Sequence, residues 1–263
     1  MQDYEQIGDK IVDNLGKNLK IVDKSFLTEA FQRENIQISD KKAELLIRFY
    51  ELLIQKNKVM NLTGITEFTQ VVYKHFLDSV YGKTAMDIFS DASVIDIGTG
   101  AGFPGIPLKI CYPELKITLM DSLNKRVGFL NEVIGELGLT GIRAVHSRAE
   151  DLGRNPEYRE QFDYAVSRAV ADLAVLAEYS LPFVKTGGKF ISYKGGDVEE
   201  ELNRSKKAIG ILGGRVTEVK RFSYSVAEEE TYQRSMIVIE KVKETAKKYP
   251  RKAGTPGKMP LGR

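Results

Sequence analysis

One cysteine and two histidines are all that 263 residues offer for thiol or imidazole chemistry. Cys111 alone cannot close an internal disulfide, and Cys111, His75 and His146 do not form a cluster of metal-binding spacing. No metal is therefore expected. Long apolar runs are also missing: Ala92 to Ile97 and Val184 to Ser192 have strand length and are broken by Gly or polar residues, far short of a bilayer crossing. Met1 to Lys20 mixes Asp, Glu and Lys with isolated apolar residues and shows no basic start, apolar block and cleavage site. Together these absences predict a reduced, metal-free, cytoplasmic protein with no membrane contact.

What the chain does have is enough apolar residue, 42% of it, to bury a full core. Charge is modest in sum and uneven in placement. From Lys241 onward eight Lys or Arg face Glu244 alone, giving +7 there, so a total of +3 leaves Met1 to Glu240 at −4. A basic end on a slightly acidic body suits contact with a polyanion, because Lys and Arg at phosphates release condensed counterions. A solvated, disordered terminus gives the same composition, and the sequence leaves both readings open.

Up to residue 90 the apolar spacing is helical, as in Leu46, Phe49, Tyr50, Leu53 and Ile54, with Ser39 or Asp40 as N-cap. From Ala92 short β-branched runs alternate with amphipathic stretches. Strands are predicted over 93–98, 116–121, 142–146, 163–167 and 188–194, with helices over 105–111, 124–138, 171–183 and 198–212 between them. Two closing strands, 215–224 and 232–240, have no helix between them and should pair as an antiparallel edge hairpin. The fold class is thus α/β, a mostly parallel sheet with helices on both faces, preceded by N-terminal helices. Residues 1–90 should pack on the core as a helical extension, 91–242 should form the ligand-binding domain, and 243–263 should be a basic tail. Its Pro- and Gly-rich run from Tyr249 to Leu261 is expected to form no regular element.

The most informative segment joins the first strand to the first sheet helix: Val94-Ile-Asp-Ile-Gly-Thr-Gly-Ala-Gly-Phe-Pro-Gly105. Glycines there let the backbone turn tightly and approach a ligand that a Cβ would block. A dinucleotide fingerprint needs glycine where Phe103 stands, and a phosphate loop needs Gly-Lys-Ser/Thr, whereas no lysine follows until Lys109. What remains, Asp96-x-Gly98-x-Gly100-x-Gly102, resembles the first motif of the Rossmann-like class I methyltransferases that use S-adenosylmethionine (SAM). Asp121, ending the second strand, stands where a carboxylate can accept both hydroxyls of a ribose. Alone, Asp96 or Asp121 could be a solvated strand-end carboxylate; in order with the loop they favour SAM.

Seven segments then occur in a fixed order: Lys58-Val-Met-Asn-Leu-Thr63, His75-Phe-Leu-Asp-Ser79, the glycine loop, Asp121-Ser-Leu-Asn-Lys-Arg126, Arg148-Ala-Glu150, Ser167-Arg-Ala169 and Tyr193-Lys-Gly195. This order is similar to the bacterial guanine-N7 methyltransferase family of small-subunit ribosomal RNA, also called glucose-inhibited division protein B, over roughly residues 36–261. The resemblance implies transfer of a methyl group from SAM to N7 of a guanine in 16S rRNA, leaving S-adenosylhomocysteine. It implies that Gly98, Phe103, Ala149, Glu150 and Arg168 line the cofactor site, with Asp121 on the ribose. Asp96, Gly100 and Gly102 complete the expected set, and no single acid or base carries over as catalytic.

Arg168, at the mouth of the cleft, should need an anionic or planar partner, such as the SAM carboxylate or a substrate phosphate. RNA is expected to meet the N-terminal helices, His75, Lys194 and the tail cations Arg251, Lys252 and Lys258, with Tyr193 as a candidate stacker. Plainer readings stand beside these: a buried imidazole for His75, a strand-end rim lysine for Lys194, a surface pair for Arg148 and Glu150. The partner is expected to be 16S rRNA or the small ribosomal subunit, and the protein a monomer.

Overall fold

The computed structural model describes residues 22–87, 91–168, 171–227 and 230–262. The segment before Val22, Ala169 of the Ser-Arg-Ala motif and Arg263 of the tail lie outside these.

Helices α1 (Lys24–Arg33) and α2 (Asp40–Met60) open the described chain. Ser39 caps α2 by accepting from the Lys42 amide at 3.4 Å, and Asn61 ends it in the left-handed region. Its predicted apolar face is indeed inward: Leu46, Phe49, Tyr50 and Leu53 are buried, Ile54 half-buried. Next, α3 (Phe68–Val71) runs into a π-helical turn, Val72–Leu77, and then α4 (Asp78–Val80). π turns are rare and frequent at functional sites. This one carries His75.

Strands β1 (Ser93–Ile97), β2 (Lys116–Asp121), β3 (Ile142–His146), β4 (Phe162–Arg168) and β5 (Val184–Gly195) are parallel; β6 (Gly214–Ala227) and β7 (Glu230–Lys241) run antiparallel to close the sheet. Their order is β3-β2-β1-β4-β5-β7-β6, with β7 between β5 and the edge. Between them lie α5 (Gly105–Cys111), α6 (Asn124–Glu136), α7 (Ala149–Leu152), α8 (Leu173–Ser180) and α9 (Glu199–Ile211). The central strands are apolar on both sides, since helices cover both faces: Val94, Leu119 and Val166 belong to one apolar cluster, Ile95, Ala165 and Phe190 to the other. Leu27, Phe31 and Phe49 of α1 and α2 lie in the first cluster with β1 and β2.

Boundaries moved where a local backbone need overrode periodicity. The predicted strand 93–98 stops at Ile97 because Gly98 turns with φ 68°. The predicted helix 171–183 starts at Leu173, after the Asp172 cap, and ends at Ser180, with a 3₁₀ turn over Leu181–Phe183. The tail is a correction. Thr255–Lys258 forms a one-turn helix, α10, opened by Pro256, where a missing N–H costs nothing.

Candidate active site

After β1 the chain passes to β2 and β3 and only then returns to β4 on the other side of β1, so the C-terminal ends of β1 and β4 part where the winding reverses. Ligands collect at such a crevice. A cavity of about 500 Å³ opens there, lined by Gly98, Gly100, Phe103, Asp121, His75 and Arg168, among others.

Its floor is the glycine loop. Gly98, Gly100 and Gly102 hold φ of 68°, 60° and 99°, values that other residues adopt only with strain. A Cβ on Gly100 would meet no protein atom within 4 Å, so that position is glycine for its backbone and for whatever approaches from the cavity. The loop is pinned at both ends by carboxylates. Asp121 Oδ2 accepts from the Gly100 amide at 3.0 Å, and its Oδ1 from the Leu123 amide at 2.9 Å. Asp96 Oδ2 accepts from Thr99 Oγ1 at 2.7 Å and the Gly105 amide at 2.8 Å. Asp96 is fully buried beneath the loop and is not in the cavity lining; its Oδ1 has no partner. Burial pushes this carboxyl up to about 7, against the pull of Thr99 and Gly105.

The far wall joins three elements. His75, on the π turn, stacks on Phe103 with centroids 4.5 Å apart, and the Arg168 guanidinium lies 5.0 Å from the centroid of the same ring. Arg168 Nη1 donates to the Lys74 carbonyl at 3.0 Å and to Asp78 Oδ2 at 3.1 Å. The anionic and planar partners that Arg168 was expected to find in a ligand are therefore supplied by the protein, as Asp78 and Phe103. Asp78 Oδ1 also accepts from Arg234 Nε on β7 at 3.0 Å, so one buried carboxylate ties two guanidiniums. Burial, reinforced by Arg168, lowers the His75 pKa to about 3, which keeps the ring neutral.

Gly98, Gly100, Phe103, Asp121 and Arg168 thus come together on one cavity, and Asp96, Gly102, Ala149 and Glu150 do not line it. Gly102 packs inward, since a Cβ there would lie 2.3 Å from Ile106 Cδ1. Ala149 and Glu150 begin α7, and the Glu150 carboxylate accepts from the Gly254 amide of the tail at 2.8 Å.

The chain matches the family described as rRNA small subunit methyltransferase G over residues 42–232. It is 49% identical to the ribosomal RNA small subunit methyltransferase G of Alkaliphilus metalliredigens over 238 residues, 90% of this chain and 98% of that protein. The corresponding protein of Desulforamulus reducens is 49% identical over 235 residues, 89% of this chain and 97% of its own length. The chain belongs to this family. The solved structure of geranyl diphosphate methyltransferase, in complex with GPP and sinefungin, superposes with a TM-score of 0.52 at 11% identity. That alignment covers 78% of this chain and 99% of that one, and shows the Rossmann-like methyltransferase fold.

In this rRNA methyltransferase family member the sequence reading missed several site residues. Leu62 and Thr63 line the cavity because Asn57 Oδ1 accepts from both their amides, at 2.6 and 2.9 Å, and folds the turn inward. Arg126 reaches the cavity beside Asp121, 3.4 Å away. Thr63 and Arg126 stood inside quoted motifs, which was the available signal. Asp78 stood in another, but Arg234 is in none and only the sheet register delivers it.

Several expected RNA contacts are engaged within the protein. Tyr193 is corrected outright: its ring is buried and its hydroxyl donates to the Ser79 carbonyl at 2.9 Å, so it cannot stack on a base. Lys194 donates to Glu201 at 2.7 Å and to the Ala171 carbonyl at 2.9 Å. The Arg251 guanidinium grips the fully buried Glu178, from Nη2 at 2.6 Å and from Nε at 2.9 Å. Lys252 and Lys258 are exposed. Among the described residues no group of three or more His, Cys, Asp or Glu could hold a metal ion, and no helix is long and apolar enough to cross a membrane.

Proposed function

We infer that this chain transfers the methyl group of SAM to N7 of a guanine in 16S rRNA and releases S-adenosylhomocysteine. We place it in the cytoplasm as a monomer acting on the rRNA or the small subunit. The carrying observation is a cavity that runs from Gly98, Gly100 and Asp121 at one end to His75 and Arg168 at the other, in a member of the rRNA small subunit methyltransferase G family.

The residues present fit the cofactor. Glycine backbone can approach it closely, and the Asp121 carboxylate lines the cavity with one lone-pair site, on Oδ1, beyond those given to Gly100, Leu123 and Arg126. When bound, SAM supplies a methyl carbon bearing a sulfonium leaving group. Guanine N7 offers an unprotonated lone pair, so the N–C bond forms as the C–S bond breaks and no general base is required. The protein's work is then to orient the reactants and exclude water. The Phe103 ring, with His75 and Arg168 side by side against it, closes the far wall. Positive charge passes from sulfur to the purine, and the wall adds little to it: His75 is neutral, and Asp78 offsets Arg168. We assign Arg168 a positioning role in this reaction.

The test is methyl transfer from labelled SAM to 16S rRNA from cells lacking the enzyme, reading 7-methylguanosine by mass spectrometry. Absence of SAM binding, or label at another atom, overturns the reading.

A further inference from the structure

Helix α7 has only four residues, too few to be held by its own backbone hydrogen bonds, and the tail meets it at both ends. At its start the Glu150 carboxylate, buried and absent from the cavity lining, accepts from the Gly254 amide at 2.8 Å. Gly254 has φ of 79°, a conformation glycine adopts freely, and the turn it makes presents that amide. Just past the end of α7, Arg154 donates to the Pro250 carbonyl from Nε at 3.0 Å and from Nη2 at 2.8 Å. Gly153 packs against the same proline, since a Cβ there would stand 3.2 Å from Pro250 Cγ. Arg159 Nη1 joins the two segments once more, donating to the Tyr249 carbonyl at 2.8 Å and the Gly153 carbonyl at 2.9 Å. Arg251, paired with Glu178, anchors this stretch of tail to α8.

Strand order says what α7 stands beside. From β4 through β1 and β2 to β3, the strand ends lead to Arg168, Gly98, Asp121 and the turn into α7. With the methyl group at the Arg168 end and the ribose at Asp121, the adenine of SAM extends the other way, towards β3. That turn is already tied to Asp121 and its neighbour: the Ser147 amide donates to the Asp121 carbonyl at 3.2 Å, and His146 Nε2 lies 3.1 Å from the Ser122 carbonyl. We propose that the tail from Pro250 to Gly254 is a positioning element of the cofactor site: it holds α7 so that residues 147–150 wall the adenine, with Gly254 acting through Glu150. The inference rests on the functional reading above. It has a defined kinetic signature. The adenine takes no part in the transfer and is held alike in the ground and transition states, so disturbing its wall raises KM for SAM and leaves kcat alone.

Full-length variants test this. Gly254→Pro removes the amide donor, and Arg154→Ala releases the Pro250 carbonyl. Gly257→Ala, in α10, is the control, because its Cβ would come no nearer than 3.9 Å to the Tyr179 hydroxyl. Calorimetry gives the Kd of SAM and of 5′-methylthioadenosine, which keeps the adenine and ribose but lacks the amino-acid end, and initial rates on 16S rRNA give KM and kcat. Gly254→Pro and Arg154→Ala should raise both Kd values and the KM for SAM, roughly ten-fold for Gly254→Pro, with kcat within about two-fold of wild type. Gly257→Ala should change none of them. Gly254→Pro combined with Glu150→Ala should bind SAM no more weakly than Glu150→Ala alone. Unchanged SAM affinity in the folded variants overturns the inference whatever the urea midpoint does, since the contacts then serve stability only. A fall in kcat, a loss confined to SAM, or additive losses in the double variant overturn it as well. Should Gly254→Pro not fold, Arg154→Ala decides by the same readings. Wild-type protein that binds neither SAM nor methylthioadenosine sinks the functional reading, whereas normal binding with silent variants sinks only this inference.

Discussion

Arg168 Nη2 lies 3.2 Å from His75 Nδ1, so the guanidinium at the end of β4 holds the imidazole of the π turn directly. The same Nδ1 lies 3.0 Å from the Lys74 carbonyl, and on the other side of the ring Nε2 lies 2.9 Å from Thr63 Oγ1. The neutral ring is thereby locked between α2's C-terminal turn and β4, face-on to Phe103.

Acid should destabilise the protein partly through this ring. His75 falls from 6.5 to about 3 on folding, by burial first and Arg168 second. Between those values the unfolded chain binds the proton and the folded chain does not. The contribution is therefore complete above 6.5 and is lost as pH falls towards about 3. Replacing the ring by a non-titrating amide, His75→Gln, should give a shallower fall in Tm over that window; a fall parallel to wild type would contradict the assignment.

Asp96 works in the opposite sense. Its carboxyl is raised from 3.8 to about 7, so the folded state holds the proton that the unfolded state has released. Stability from this group is present below 3.8 and is lost as pH rises through about 7. Asp96→Asn keeps an acceptor for Thr99 and Gly105 without ionising, so its urea midpoint, taken relative to wild type, should rise as pH increases through that window. A constant difference between the two curves would show that Asp96 does not titrate there.

At the other end of the cavity, Asp121→Ala removes the acceptor proposed for the ribose and frees the Gly100 amide. Hydrogen bonds to charged groups contribute about 1.5–3 kcal/mol, so SAM affinity by calorimetry should drop roughly ten- to a hundred-fold. Undiminished affinity would remove Asp121 from the cofactor site.

In the tail, pairing and charge can be separated. Arg251→Ala strands the carboxylate of Glu178, which has no exposure, and breaking such a pair costs about 3–5 kcal/mol. Chemical denaturation should show that loss. The double variant Lys252→Gln, Lys258→Gln changes only exposed cations, so it should leave stability unaltered while reducing the salt dependence of rRNA binding. If the double variant unfolds as easily as Arg251→Ala, the division of labour is mistaken.

The alternation of β-branched runs with amphipathic stretches made the parallel core legible, because helices on both faces force strands such as β1 and β4 to be apolar throughout. Glycines at 98, 100 and 102 were legible for a similar reason: local backbone conformation dictates the residue. Arg251 was not legible in the same way. A basic, Pro- and Gly-rich run reads as solvated, and nothing nearby in sequence announces that Glu178, 73 positions earlier, waits buried for its guanidinium. Tyr193 misled for a related reason, since an aromatic at a strand end is the same residue whether it faces the cleft or fills the space above Gly82.

Sequence alone therefore determined the layered α/β architecture, the glycine turn and the family, all of which rest on local backbone geometry and short-range periodicity. Tertiary structure decided which charges are spent. Asp78 lies 90 positions from Arg168 and 156 from Arg234, and only the docking of the N-terminal extension over the strand ends brings the three together. Coulombic and desolvation energies depend on distance through space and on exclusion of water, and a linear order of residues records neither.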